Sequence, residues 1–136
     1  MGKYFRLSEF TRSDTAARLG IANTPTVPQV ANINRLVDAV LDPLREAYGK
    51  PIRVTSGFRS AALNKAVGGS KTSEHLCKGM SAAADITGGS PAENRRLFQL
   101  CQQLRLPFRQ LIDEKNYTWI HVSHNPYDVK RQVLHL

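Results

Sequence analysis

The chain is poor in cysteine. Cys77 and Cys101 are the only two in 136 residues, so no disulfide framework can hold the fold. Both fit free thiols in a reducing compartment. Long hydrophobic runs are also missing, and nothing approaches the roughly 20 apolar residues that a bilayer-spanning helix requires. The N-terminus from Met1 to Arg12 is charged and mixed, unlike a secretory signal. Position 6 is Arg6, which excludes the myristoylation pattern after Gly2. No internal repeat, low-complexity stretch or linker is present. These absences predict a soluble chain made in the cytoplasm without a membrane anchor, with monomer as the default state.

Acidic residues are scarce, 11 against 19 Lys and Arg, which gives a net charge of +8. Such an excess favours polyanions, either nucleic acid or an anionic cell-wall polymer. The basic residues are nevertheless scattered, from Arg35 and Arg45 through Arg109 to Arg131, and form no tract of five. No zinc finger or aromatic-basic RNA motif occurs. Nothing beyond the net charge points to nucleic acid, and no such partner is expected. Hydrophobic residues at 41% and charged residues at 22% are ordinary globular values. The length fits one domain over 1–136.

Local patterning gives the order of elements. The first 25 residues read as short helical turns, with Ser8 and Ser13 able to cap starts and Gly20 able to stop one. Pro28 suits the first turn of a helix. Ile33, Leu36, Val37, Val40, Leu41, Leu44 and Tyr48 recur at spacings of three and four, an amphipathic helix that Pro43 should kink near Leu41 and Gly49 should end. Pro51 to Thr55 reads as a strand, and Ser60 as the cap of a short helix closed by Gly68-Gly69. Ala82 to Ile86 is a short buried strand. Ser90-Pro91-Ala92-Glu93 is a capping box opening a helix to about Arg105, with Leu97, Phe98, Cys101 and Leu104 inward. Phe108–Asp113 and Thr118–Ser123 are strands joined at Lys115-Asn116, and Gln132–Leu136 could add an edge strand. The expected class is α+β, a small, mainly antiparallel sheet covered by helices.

Chemistry concentrates in three places. Ser73-Glu74-His75 follows a Gly-Gly-Ser-Lys-Thr-Ser loop, and loops carry functional groups more often than cores do. Asp85 ends the run Ala82-Ala83-Ala84, where a carboxylate is costly unless paired or on a metal. His121 alternates with Ile120 and Val122. Taken singly, His75 reads as a solvated loop side chain and His121 as a satisfied core histidine. Together, two imidazoles and a carboxylate are a standard three-ligand set for catalytic zinc that leaves a position open for water. Trp119, Phe98 and Phe108 read as core.

The ordered set of Ser56-Gly57-Phe58-Arg59-Ser60, Asn64, Gly68-Gly69-Ser70, Ser73-x-His75, the Ala-rich run to Asp85, Gln110-Leu111-Ile112-x-Glu114 and Trp119-Ile120-His121-Val122-Ser123 resembles the zinc D-alanyl-D-alanine carboxypeptidase family. It is most similar to the phage-associated branch of peptidoglycan peptidases, and Phe5-x-Leu7-x-Glu9-Phe10 with Asn23-Thr24-Pro25 extends the likeness over nearly the whole chain. The resemblance implies a hedgehog/DD-peptidase fold and a single zinc peptidase domain over 1–136. It implies one Zn2+ on His75, Asp85 and His121, and hydrolysis of peptide bonds in peptidoglycan stem peptides. It also implies that Arg59 stands near the site, where a planar guanidinium suits a substrate carboxylate or a polarised carbonyl oxygen. An endolysin-type or carboxypeptidase role in cell-wall degradation would then follow holin-type release from the cytoplasm.

Two departures qualify the likeness. The family spacing His-x-x-Gly-x-Ala-x-Asp is three residues longer here, between His75 and Asp85, and Cys77 in the enlarged loop is a conceivable substitute ligand. Many relatives carry an acid three positions before the last histidine, whereas this chain has Thr118. Glu114 is the expected general base. Asp113, adjacent on the strand, should face the other way. His124 is either an oxyanion donor or an exposed loop histidine, with the second reading favoured. The missing acid also motivates an alternative, a non-catalytic wall-binding domain that retains the fold.

Overall fold

Most helices of the protein begin at a side chain able to satisfy their first free amides, or carry a proline with no amide to satisfy in the first turn. In the computed structural model, which describes residues 2–136, α1 spans Leu7–Thr11 and α2 spans Asp14–Leu19. Ser13 accepts a hydrogen bond from the Ala16 amide, and Gly20 closes α2 at φ +67. Ser8, expected as a cap, lies inside α1, whose cap is Arg6. Thr26 and Gln29 form a reciprocal capping box at the start of α3, Val27–Leu36, with Pro28 in its first turn.

The predicted kink at Pro43 takes a different form. The helix continues through a π-turn, Val37–Leu41, into α4, Asp42–Tyr48. Proline cannot donate, and its ring collides with the carbonyl one turn back. Widening the preceding turn, with the Asp42 amide bonded to the Val37 carbonyl, makes room for the ring without ending the helix.

Two further helices follow the same rules. Ser60 caps α5, Ala61–Ala66, and Ser90 caps α6, Pro91–Gln103. The expected capping box at α6 is only half formed, because the Glu93 carboxylate accepts from the Tyr48 hydroxyl and pairs with Lys50 instead. Leu104, expected inward, is exposed. Leu106 takes its place in the core, because the helix stops at Gln103 and the chain turns.

Five strands form one sheet in the order β1-β2-β4-β3-β5: β1 Arg53–Ser56, β2 Ala82–Thr87, β3 Gln110–Glu114, β4 Trp119–His124 and β5 Gln132–His135. The first three pairings are antiparallel and β5 joins β3 in parallel. The fold is thus α+β with a mainly antiparallel sheet. Residues directly opposed across a ladder share a face. One face carries Val54, Ala84, Ile86, Leu111, Ile120 and Val122, and packs on Ile33, Leu36, Val37, Leu97, Phe98 and Cys101 from the helices. The other face carries Asp85, His121, Ile112, Glu114 and Trp119 by register. It is left for a loop and a short 3-10 turn, Glu74–Leu76, to approach. Among the described residues, no helix is long and apolar enough to cross a membrane.

Candidate metal centre

The site is built where that turn meets the uncovered face of β2 and β4. Ser73 accepts from the His75 amide at 3.2 Å and starts the turn. The loop after β1 then grips His75 at both ends. The Gly57 carbonyl lies 2.7 Å from His75 Nδ1, and the Arg59 amide donates to the His75 carbonyl at 2.8 Å. Gly57 is needed there, because a Cβ would come within 2.7 Å of the Phe10 backbone. A carbonyl can only accept, so Nδ1 carries the proton and Nε2 presents its lone pair. That nitrogen lies 3.3 Å from Asp85 Oδ1.

β2 and β4 bring Asp85 and His121 directly opposite each other, and His121 Nδ1 lies 3.2 Å from the same Oδ1. Donors bound tetrahedrally at about 2.0–2.1 Å from zinc stand about 3.4 Å apart. The two distances to Asp85 match that spacing, and all three donor atoms lie within 4.8 Å of one another. The second nitrogen of each ring is already occupied, so one lone pair per ring points inward. The donor set fits zinc.

The electrostatics agree with a cation-receptive pocket. Burial would push the Asp85 carboxyl up, but its contacts with the His121 and His75 rings hold it well below the carboxylate range. Burial would lower His121, but Asp85 and Glu74 raise it to about 9. A metal cation would replace that proton between the same partners.

The enlarged loop does not carry Asp85 away. Cys77 adopts φ +54 and Gly79 φ +58, which turns the chain back before β2. The buried Asn32 amide donates to the Cys77 and Gly79 carbonyls at 2.8 and 2.9 Å. Cys77 does not join the three-residue donor group. Burial pushes its thiol up to about 11, so it stays neutral beside the His75 carbonyl.

Arg59 is partly buried beside the centre. Burial lowers its guanidinium and the nearby Asp85 charge raises it. Nη1 donates to Asn64 Oδ1 at 3.0 Å, and Nε is buried without a hydrogen-bond partner among the described residues. Gly69 permits this approach, since a Cβ there would strike both Asn64 and Arg59. Arg59 lines a cleft of about 450 Å3 together with Arg12, Ser56 and Phe58. Glu114 lies opposite Trp119, two residues along β3 from Ile112, which faces His121. Asp113 sits on the other face, accepting from the Tyr117 amide at 2.7 Å and lying 3.1 Å from His135 Nδ1. Thr118 donates its hydroxyl to the Lys115 carbonyl in the turn.

Two expectations are corrected. His124 is neither loop nor exposed: it is buried at the end of β4, 2.7 Å from the Pro107 carbonyl, and by alternation it faces away from His121. Trp119 is half-buried on the site's face of the sheet rather than in the core.

The sequence reading missed Glu74. Its carboxylate reaches His121 Nε2 at 3.3 Å across 47 positions, and nothing in a Ser-Glu-His triplet aims the glutamate at a distant strand.

Two imidazoles and one carboxylate, with one donor atom from each within 4.8 Å of the others, are a set that could hold the single metal ion of a mononuclear metallohydrolase. The chain belongs to the peptidase M15 family, the zinc D-alanyl-D-alanine carboxypeptidase-like group, whose pattern matches residues 3–123. A comparison with curated proteins gave no match.

Proposed function

We propose that this member of a peptidase family is a zinc-dependent hydrolase of peptidoglycan stem peptides, with His75 Nε2, Asp85 and His121 Nδ1 as the metal ligands. The observation that carries the reading is the pair of committed outer nitrogens, Nδ1 of His75 and Nε2 of His121, which leaves one inward donor on each ring. Zinc held there supplies a water of lowered pKa and polarises the scissile carbonyl. Glu114, on the same face of the sheet, accepts a proton from the attacking water and returns it to the leaving amine. The Arg59 guanidinium beside the centre meets the carbonyl oxygen or a terminal carboxylate of the peptide. Net charge of +8 draws the protein to anionic wall polymers, which it would reach after holin-type release or other export. Terminal D-Ala-D-Ala cleavage and endolysin-type cleavage use the same chemistry, and mass spectrometry of fragments released from purified walls separates them.

Metal analysis should find about one zinc per chain. His121→Ala should abolish muropeptide cleavage while the circular dichroism spectrum is retained, and full activity in that variant would refute the mechanism. A second reading, a wall-binding domain without catalysis, is favoured by Thr118 standing where relatives carry an acid. If the wild type and Glu114→Gln both bind peptidoglycan and neither cleaves it, the second reading replaces the first.

A further inference from the structure

Glu74, Arg109 and Asp128 are three charged residues from three separate segments, and none of them is itself a metal ligand. They form a continuous line ending on His121. Glu74 Oε1 lies 3.3 Å from His121 Nε2, and Glu74 Oε2 lies 3.1 Å from Arg109 Nη1. Arg109 Nε lies 2.8 Å from Asp128 Oδ2. Two members of the line are tied to the backbone. The Arg109 amide donates to the Ser123 carbonyl at 2.8 Å, and the Asp128 amide donates to the Asn125 carbonyl at 3.0 Å. Exposure falls along the line, from a 39% exposed Asp128 side chain through 26% for Arg109 to 12% for Glu74. A lone carboxylate this buried would be costly, and Arg109 offsets that cost with a fork whose two donors hold Glu74 and Asp128 in one plane.

We infer that Glu74 is a positioning residue, clamped by Arg109 and Asp128, that fixes His121 with its proton on Nε2 and its lone pair on Nδ1. A carboxylate can only accept, so the nitrogen facing Glu74 must donate. The other nitrogen faces Asp85, itself a ligand, so with a metal between them Nδ1 is the donor atom, and the ring is oriented before any metal arrives. His75 is fixed the opposite way round by the Gly57 carbonyl, with Nδ1 protonated and Nε2 inward. The centre therefore uses unlike nitrogens from its two histidines, each selected by an outer acceptor. Such outer partners typically set metal affinity by about 10- to 100-fold.

This inference rests on His121 being a ligand, and Glu74→Gln separates the two claims. The glutamine amide must offer its oxygen to Arg109 and its NH2 to His121, which favours the wrong tautomer. In the zinc-loaded wild type, long-range 1H–15N NMR should show His121 protonated at Nε2 and His75 protonated at Nδ1. Glu74→Gln should weaken zinc binding about 10- to 100-fold in chelator competition and disturb the His121 pattern while sparing that of His75. Asp128→Asn, more exposed and acting only through Arg109, should weaken zinc in the same direction but less, and it carries the test if Glu74→Gln does not fold. Wild-type zinc affinity and an unchanged His121 pattern in both variants, with zinc lost in His121→Ala, would overturn the positioning role alone. No zinc binding by the wild type would overturn the parent reading and this one with it.

Discussion

Individual side chains decide whether the centre exists. His75, Asp85 and His121 were legible because each stands in a short distinctive context. Their convergence needed only the pairing of β2 with β4 and one turn over the sheet. Glu74 was not legible, since its role depends on a partner 47 positions away. His124 misled because a histidine after a strand pattern reads as loop, whereas β4 runs one residue further and buries it. Gly57 carries a residue-scale prediction. Gly57→Ala places a Cβ 2.7 Å from the Phe10 Cα, and backbone cannot yield cheaply. Urea denaturation should show a loss of about 1–3 kcal/mol, and zinc affinity should fall because the carbonyl orienting His75 shifts. Unaltered stability and affinity would contradict the close packing described.

At the scale of elements, the caps were readable. Ser13, Ser60 and Ser90 each accept from the amide that local chemistry predicts, whereas Ser8 falls inside α1. Element ends and irregular turns were less so. The π-turn before Pro43 arises from a conflict between a strongly apolar face and a residue that cannot donate, and periodicity shows only the conflict. The enlarged His75–Asp85 loop was visible as an insertion, but its anchor was not, because Asn32 lies on α3. That amide satisfies two carbonyls of the loop from a buried position. Asn32→Ala leaves both without that partner and should cost about 2–4 kcal/mol, on the order of two lost buried hydrogen bonds. Thermal melting would measure it. Zinc affinity should fall in parallel, since the loop links His75 to Asp85.

For the whole molecule, the main helices pack on one face of the sheet and leave the other to a loop and a short turn, so 136 residues build the site without a second helical layer. The same arrangement buries Cys77 and Cys101 in the core. Burial pushes Cys77 up to about 11 and Cys101 up to about 12, from an ordinary value of 9.0. Because the folded values lie above the unfolded one, the resulting stability is complete below about pH 9 and is lost as pH rises towards 11 and 12. Denaturation midpoints should therefore fall above pH 9. Both thiols should resist a disulfide-exchange reagent at pH 8 until the chain unfolds. Rapid labelling of the native protein would show that the core is open. Zinc held by the folded arrangement alone would stabilise it by mass action, so chelation should lower the melting temperature, and His121→Ala should abolish that difference.

The claim beneath all of this is that three donor atoms hold one zinc ion. Elemental analysis of the dialysed protein, comparing the wild type with Asp85→Ala and His121→Ala, tests it directly. About one zinc per chain in the wild type and almost none in either variant is the expected result. A metal-free wild type after zinc reconstitution, or variants that keep a full equivalent, would contradict it.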